Sequence, residues 1–331
     1  MTDPNTLLDR AYAAVEAHKA VYYREGDYRK ADFWDYAEIF EIIEDLYEVT
    51  GDKALFTQFE EMYRYVLTRY TDDWHKNPYN DDIMWLVIAL TRAYLYTGET
   101  KYLDTAVRNF NRTYDRAVSD ELGGGLFWRV ENQCKNTCVN CPGAIAAAFL
   151  AKATGDDDAY YDKMFVCLDW AVRMMFEPDT GKVYDCINLD GSINRWSSTY
   201  NQGTFIGACM MYYEKTGEEK YLAYAAKAAE YVKDTMYHDG IMNNEEPGND
   251  LPGFKGILAR YIRRYADLTG KTEYRDWLRR NADSAWENRN SQGIMWTQLG
   301  EKTEDGKEYD VFSMSAAMSV VVNSAETVVK L

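Results

Sequence analysis

The chain has 331 residues, 54 of them acidic and 37 basic, so its formal charge is −17 at neutral pH. This charge repels phosphate backbones and anionic headgroups, which argues against nucleic acid as a partner, and no apolar run reaches the roughly 18 residues needed to enter and span a bilayer. Nine Trp and 28 Tyr supply many aromatic faces, which stack well on the C–H faces of sugar rings.

Apolar periodicity predicts helices throughout the chain. Their approximate bounds are 5–24, 34–49, 53–70, 81–96, 100–117, 141–153, 157–176, 201–215, 219–236, 254–268, 272–288 and 312–329. Neighbouring helices are joined at five Thr-Gly dipeptides: Thr50-Gly51, Thr97-Gly98, Thr154-Gly155, Thr216-Gly217 and Thr269-Gly270. A glycine just past a helix takes a left-handed conformation, so each dipeptide predicts a tight turn. Twelve helices in six hairpins predict an all-α (α/α)6 toroid, a single domain over residues 1–331.

The long connections of such a ring lie at the end opposite the Thr-Gly turns. They fall near 25–33, 71–80, 118–140, 177–200, 237–253 and 289–311. These connections, and the helix starts that follow them, carry the unusual residues: Trp34, Asp81, Asp82, Trp85, Gly123-Gly124-Gly125, Trp128, Asp185, Trp196, Tyr200, Glu245, Glu246 and Trp296. Loops on a rigid scaffold often hold binding and catalytic residues, so we expect the functional face at this end.

The spacing Cys134-x3-Cys138-x2-Cys141 matches that of radical enzymes with a [4Fe–4S] cluster. In those enzymes the motif follows the first strand of a β/α barrel, whereas here no strand is predicted before it. A zinc site lacks a fourth ligand, because the only three histidines lie far away in the sequence. We therefore predict no metal, and six free thiols.

Free thiols favour a reducing compartment. The first ten residues lack the basic and then apolar layout of a signal peptide. We expect a cytoplasmic protein, or a secreted or surface protein if a leader has been removed, and we expect it to be a monomer.

Asp81 and Asp82 stand where a long loop becomes a helix. Adjacent residues inside a helix point about 100° apart, but at a helix start the first acid can keep non-helical dihedrals and both carboxylates can converge. The alternative is an N-cap with an acidic neighbour. Two carboxylates about 5–5.5 Å apart, beside aromatics, suit retaining glycoside hydrolysis, which needs one ionised and one protonated group.

Five blocks, in order, resemble glycoside hydrolase family 76, the endo-α-1,6-mannanases. They are Asn80-Asp81-Asp82 with Trp85, Gly124-Gly125-Leu126-Phe127-Trp128, Lys135-Asn136, Tyr200-Asn201-Gln202-Gly203, and Phe254-Lys255-Gly256 followed by Arg260-Tyr261. The resemblance implies an (α/α)6 fold, retaining hydrolysis of α-1,6-mannan or manno-oligosaccharides, and no required cofactor. It also implies that Asp81 is the nucleophile and Asp82 the general acid/base.

Further residues are candidates for substrate binding, each with an architectural alternative. The candidates are Trp34, Asn80, Trp128, Asp185, Trp196, Tyr200, Asn201, Gln202 and Lys255. Polar members can hydrogen-bond sugar hydroxyls and the Trp residues can stack on rings, whereas Lys255 either sets the local field or forms an ion pair.

Two other classes remain open. The first is another toroidal sugar enzyme. An N-acylglucosamine 2-epimerase needs histidine proton shuttles, and an unsaturated glucuronyl hydrolase needs cationic contacts in its groove. The second is a protein that binds glycans without cleaving them. A non-catalytic glycan-binding protein has no evident use for paired acids.

Overall fold

The computed structural model describes residues 6–155, 157–242, 245 and 250–331. Within them lie twelve α-helices: α1 Leu7–Tyr22, α2 Phe33–Thr50, α3 Leu55–Tyr70, α4 Asn80–Thr97, α5 Thr100–Ala117, α6 Thr137–Ala153, α7 Asp158–Met174, α8 Thr199–Thr216, α9 Glu219–Thr235, α10 Phe254–Thr269, α11 Thr272–Glu287 and α12 Val311–Asn323. Short strands lie in the connections: β1 Tyr23–Arg24, β2 Asp27–Tyr28, β3 Cys134–Asn136, β4 Cys186–Asn188, β5 Ile193–Asn194, β6 Tyr237–His238 and β7 Ile241–Met242.

The chain divides into two compact units, one made of Met1–Arg69 with Lys233–Leu331 and the other of Tyr70–Val232. In the second unit α6 packs against both α4 and α8, and all three helices are largely buried. The amphipathic helices α5 and α7 cover α4 and α6 and keep one face in solvent. In the first unit α12 packs against α1, α2, α10 and α11.

The Thr-Gly turns form as predicted. The glycines after α2, α4, α8 and α10 are left-handed, with φ between 69° and 73°. The threonine hydroxyl before each glycine donates to the carbonyl four residues earlier, as Thr50 does to Leu46 O at 2.7 Å. The same hydroxyl accepts from the backbone N–H two residues later, as Thr50 Oγ1 does from Asp52 N–H at 3.1 Å, so the threonine side chain links the last turn of the helix to the residue after the glycine.

Several predicted bounds are wrong. Helix α6 begins at Thr137, four residues before the predicted start, because the strand β3 leads directly into it. Helix α12 ends at Asn323, because the following segment turns away and the N–H groups of Val328 and Val329 donate to Glu48 O at 2.8 and 2.9 Å. The antiparallel sheet β3–β4–β5 was not predicted, and it contains Cys134 and Cys186.

Helix α2 is buried along almost its whole length although it carries five acidic residues beyond its first turn. Arg260 of α10 contacts three of these carboxylates, with Nε 2.7 Å from Asp45 and Nη1 3.2 Å from Glu38. Burial nevertheless raises the pKa of Glu38 to about 8. Buried charges persist only when paired, and the arginines of α10 provide the pairing.

Candidate active site

Helix α4 begins at a rigid anchor, Asn80. Its backbone N–H donates to Trp128 O at 2.9 Å and its Nδ2 donates to Phe127 O at 2.8 Å. Arg116 Nε donates to its Oδ1 at 2.7 Å. The buried amide is thus committed to neighbouring protein groups, and it fixes the direction in which the next two residues, Asp81 and Asp82, leave the loop.

Neither aspartate caps the helix, so both the predicted non-helical first acid and its N-cap alternative are wrong. The N-cap is Tyr79, in extended conformation and with no side-chain capping bond. The helix starts earlier because Tyr79 N–H donates to Asn77 Oδ1 at 2.9 Å and Asn80 is held as described. Both acids lie in the first helical turn, and successive side chains there point about 100° apart.

Asp81 turns towards the start of α6. Burial raises the pKa of its carboxyl to about 6, while the nearby Cys138 thiol and Trp128 indole, both potential donors to the carboxylate, oppose this rise. Its Oδ1 is buried and has no well-formed hydrogen bond among the described residues. At neutral pH the group is therefore mostly ionised, with one oxygen that is not committed to a protein donor.

Asp82 is anchored from a different side. Asn77 Nδ2 donates to its Oδ2 at 3.0 Å, and Arg116 Nη2 holds Asn77 by donating to its carbonyl at 2.8 Å. Asp81 and Asp82 are both intermediate in exposure, but the groups that contact them differ. Unlike surroundings are what separate the pKa values of two adjacent carboxyl groups.

The raised pKa of Asp81 predicts that removing its charge stabilises the protein at high pH. A carboxyl whose folded pKa is raised contributes stability at low pH, and this is lost as the pH rises through about 6. Asp81→Asn should therefore be more stable than wild type at pH 8 by on the order of 1–3 kcal/mol, with the difference fading towards pH 4.

Chemical unfolding of both proteins at pH 4, 6 and 8 measures this difference. Asp73→Asn is the control, because Arg112 and His75 lower the pKa of Asp73 to about 2 and its substitution should not stabilise the fold at pH 8. A gain for Asp81→Asn that does not vary with pH would contradict the assigned cause.

Lys135 organises the glycine-rich loop in front of the acid pair. Its buried Nζ donates to the carbonyls of Ser119, Glu121 and Gly124 at 2.7–2.8 Å, and Gly125 O lies 3.2 Å away. Its ammonium also lies 4.6 Å from the centre of the Phe127 ring. The loop that carries Trp128 thus folds around the Lys135 ammonium, and Arg173 Nη2 donates to Gly123 O at 2.8 Å at its edge.

Gly125 is the glycine that this loop requires. Its φ is +72°, and a Cβ there would lie 2.6 Å from Asn140 Oδ1 and 2.7 Å from Trp170 Cγ. Asn140 Oδ1 accepts from Leu126 N–H at 2.8 Å, so the close approach is part of the hydrogen-bonding of the loop.

Asp185 joins the starts of α6 and α8. Its carbonyl accepts from Thr137 N–H at 2.9 Å, and its carboxylate accepts from Asn201 Nδ2 at 3.2 Å and Asn194 Nδ2 at 3.1 Å. Burial raises the pKa of Asp185, and the amide donors oppose the rise. The ring of Tyr200 lies nearby on α8, 6.4 Å from that of Trp85.

The structure brings together six of the predicted site residues of the second unit: Asp81, Asp82, Trp128, Asp185, Tyr200 and Asn201. Gln202 is fully buried and its Nε2 donates to Gly181 O at 3.3 Å. Trp196 is 41% exposed, more than any other tryptophan that the structure describes.

Two predicted residues belong to the first unit. Trp34 is buried there, with its ring centre 4.4 Å from that of Phe312 and 6.2 Å from that of Phe254. Lys255 is fully buried, and its Nζ lies 3.7 Å from the Glu245 carboxylate and 3.2 Å from Thr297 Oγ1. Of the two alternatives for Lys255, the structure thus shows the ion pair. Glu246 lies outside the described residues.

Sequence reasoning missed Asn77, Arg116 and the contact of Cys138 with Asp81. The first two lie in a loop and on an outer helix, where nothing in the sequence marks them. Cys138 shares with Asp81 and Tyr200 the second position of its helix, but the predicted start of that helix at residue 141 concealed this signal. All six cysteines are free, and among the described residues no group of three or more potential ligands is arranged to hold a metal ion.

The helical architecture and the paired aspartates define a class, the (α/α)6 glycoside hydrolases. Residues 8–329 match the family described as "Glycosyl hydrolase family 76", and the chain belongs to that family. The family prediction and the all-α toroid fold class are thereby confirmed.

Solved structures include similar chains. The GH76A α-1,6-mannanase of a Salegentibacter species is 27% identical, with a TM-score of 0.89, covering 96% of this chain and 99% of that one. An inactive variant of that enzyme, with two consecutive aspartates changed to asparagine, was solved in complex with α-1,6-mannotriose and is 26% identical, with a TM-score of 0.89, covering 96% and 99% of the two chains.

Curated relatives agree in family. The mannan endo-1,6-alpha-mannosidase DCW1 of Candida albicans is 27% identical over 207 residues, which cover 56% of this chain and 45% of the relative. The chain spans about half the length of the curated relatives that it matches. No described helix is long and apolar enough to cross a membrane.

Proposed function

We propose that this protein is a retaining endo-α-1,6-mannanase that cleaves mannan or manno-oligosaccharides through Asp81 and Asp82. The observation that carries the proposal is the acid pair itself, two adjacent carboxyls in the first turn of α4 with different surroundings and a buried, uncommitted oxygen on Asp81. The similar Salegentibacter enzyme, inactive when two consecutive aspartates are changed and then bound to α-1,6-mannotriose, supports both the pair and the substrate.

Other adjacent aspartates of the chain are poor candidates. Asp72 and Asp73 are bound to Arg108 and Arg112, and their carboxyl pKa values are lowered, so neither can hold a proton near neutral pH. Asp157 caps helix α7 by accepting from Ala159 N–H. Its neighbour at 156 lies outside the described residues, and the carboxyl of Asp158 is exposed. Among the adjacent aspartates that the structure describes, Asp81 alone has a raised carboxyl pKa.

In the proposed mechanism Asp81 attacks the anomeric carbon while Asp82 protonates the departing glycosidic oxygen. Asp82 then removes a proton from water, which attacks the covalent glycosyl–Asp81 intermediate and releases the sugar with retained α configuration. The ionised state of Asp81 at pH 7 suits the attacking role, since its pKa is about 6. The proton transfer then falls to Asp82, the other acid of the pair.

The remaining candidates surround this pair or belong to the first unit. We assign the Trp128 indole and the Asp185, Tyr200 and Asn201 groups to the ring at the cleavage site, and the exposed Trp196 to stacking on a sugar ring. Asn80 shapes the site through its protein contacts. We keep Trp34, Gln202 and Lys255 as candidates, whose buried contacts favour an architectural role. Monomeric state and compartment stay predictions.

Product analysis by NMR tests the proposal. Purified protein is incubated with unbranched α-1,6-mannan, and α-1,4-glucan and an unsaturated glucuronide serve as controls. We expect short oligosaccharides released first as the α-anomer from mannan alone. First release of the β-anomer would exclude the retaining mechanism. Absence of product, with binding of mannotriose by calorimetry, would replace the enzyme with a glycan-binding protein.

A further inference from the structure

Three polar side chains occupy equivalent positions at the ends of three adjacent helices. Asp81, Cys138 and Tyr200 are each the second residue of their helix, on α4, α6 and α8. Helix α6 lies between the other two and packs against both. Cys138 occupies the middle position, from which its thiol can contact both neighbouring side chains.

Hydrogen bonds connect the starts of the three helices. Asn80 N–H donates to Trp128 O at 2.9 Å, and Trp128 N–H donates to Cys134 O, in the strand that leads into α6, at 3.0 Å. On the other side Asp185 O accepts from Thr137 N–H at 2.9 Å, and the Asp185 carboxylate accepts from Asn201 of α8. The start of α6, which carries the thiol, is therefore tied by hydrogen bonds to the starts of both neighbouring helices.

The contacts form a chain of donors that points at the acid pair. The Tyr200 hydroxyl lies beside the Cys138 thiol, and the Cys138 thiol lies beside the Asp81 carboxylate, so in each contact a group that can donate a hydrogen faces the next acceptor. Cys138 is 3% exposed, which leaves little access for water to replace the thiol as donor. The titratable groups that face it are Asp81, Asp185 and Tyr200, one from each surrounding segment.

The donors stay protonated over the working pH range. Burial, with the nearby Asp81 and Asp185 charges, raises the pKa of the Cys138 thiol well above its ordinary value. Burial also raises the pKa of the Tyr200 hydroxyl well above its ordinary value. A thiol is a weak donor, but a donor to a carboxylate in a water-poor site is strengthened by the charge.

We propose that Cys138 is a positioning residue for the nucleophile, which holds the Asp81 carboxylate in its attacking orientation and is itself held by Tyr200. This inference rests on the proposed function of Asp81. The thiol contact leaves Oδ1 of Asp81, which has no well-formed hydrogen bond among the described residues, to attack the anomeric carbon. Cys138 performs no chemistry on the substrate.

Three variants test the proposal on mannan. Cys138→Ala should lower kcat/KM roughly 10- to 50-fold, mainly through kcat, and should shift the acid limb of the pH profile upward because the anion loses a donor. Cys138→Ser should restore most of the activity and should return the acid limb of the pH profile to its wild-type position. Cys141→Ala is the matched control, a buried cysteine one turn further along α6 whose thiol contacts Thr204, and it should change neither.

A second readout does not require activity. The stability difference between wild type and Asp81→Asn, followed against pH, reports the titration of Asp81. The same difference measured in the Cys138→Ala background should have its midpoint at higher pH. An unshifted midpoint would overturn the proposal even if the mannanase assay succeeds, and a shifted midpoint in a protein that does not cleave mannan would overturn only the proposed function.

Discussion

Asp81→Ala is expected to abolish hydrolysis of both mannan and substrates with a good leaving group, a loss of roughly 10⁴-fold or more in kcat. The reason is that no covalent intermediate can form without the attacking carboxylate. Asp82→Ala should lose as much on mannan but retain substantial turnover when the leaving group needs no protonation. Initial rates on mannan and on an activated aryl α-mannoside measure the difference.

Added azide separates the two roles by stereochemistry. In Asp82→Ala azide should attack the glycosyl–Asp81 intermediate and give the α-mannosyl azide, whereas in Asp81→Ala direct displacement should give the β-mannosyl azide. The opposite pattern would reverse the roles of Asp81 and Asp82. The control is Asp72→Ala with Asp73→Ala, an adjacent pair bound to arginines, which should stay within about twofold of wild type. Near wild-type activity for either variant of the α4 pair would move the site elsewhere.

The turns show how far local sequence determines this fold. Threonine and glycine at a helix end act through bonds within four or five residues, so the dipeptide is sufficient to predict the turn after α2, α4, α8 and α10. The repeat of that turn then gives the helical hairpins and the fold class. Local chemistry and tertiary structure agree at these positions.

The start of α6 could not be predicted in the same way. Pro142 is the sixth residue of the helix, and proline favours the first turn, so the sequence points to a start near residue 141. The actual start at Thr137 depends on bonds to a distant segment, because Thr137 Oγ1 donates to Tyr184 O at 2.6 Å. Periodicity carries no information about such a partner.

Residue type is enough to mark some residues of the candidate site, whereas others can be recognised only from their position in the fold. Paired acids and polar aromatics mark Asp81, Asp82 and Tyr200 directly, whereas Cys138 was considered only as part of a cysteine spacing. The early start of α6 makes Cys138 the second residue of its helix and gives it the same position as Asp81 on α4. An error of four residues in one helix start thus concealed a contact of the acid pair.

Lys135→Met is expected to destabilise the protein by roughly 2–4 kcal/mol, because it removes a buried donor and leaves several backbone carbonyls without a partner. Burial lowers the pKa of Lys135 to about 8, so at pH 7 the group is an ammonium with three N–H bonds for four nearby carbonyls. Methionine keeps most of the volume of the side chain, so lost packing is a minor contribution. The carbonyls cannot be removed by mutation, which is why their partner is costly to lose.

The loop around Lys135 also carries Trp128, whose indole lies beside Asp81 and lowers the pKa of its carboxyl, so Lys135→Met should lower kcat as well as stability. Urea unfolding and initial rates on mannan, both at pH 7, measure the two effects. The control is Lys163→Met, a partly exposed lysine of α7 in the same unit whose Nζ donates to Asn111 Oδ1 at 2.9 Å, and it should cost much less. Equal losses from the two substitutions would mean that the loop folds without the Lys135 ammonium, held instead by the bonds that Asn140, Arg173 and Trp170 make to its backbone.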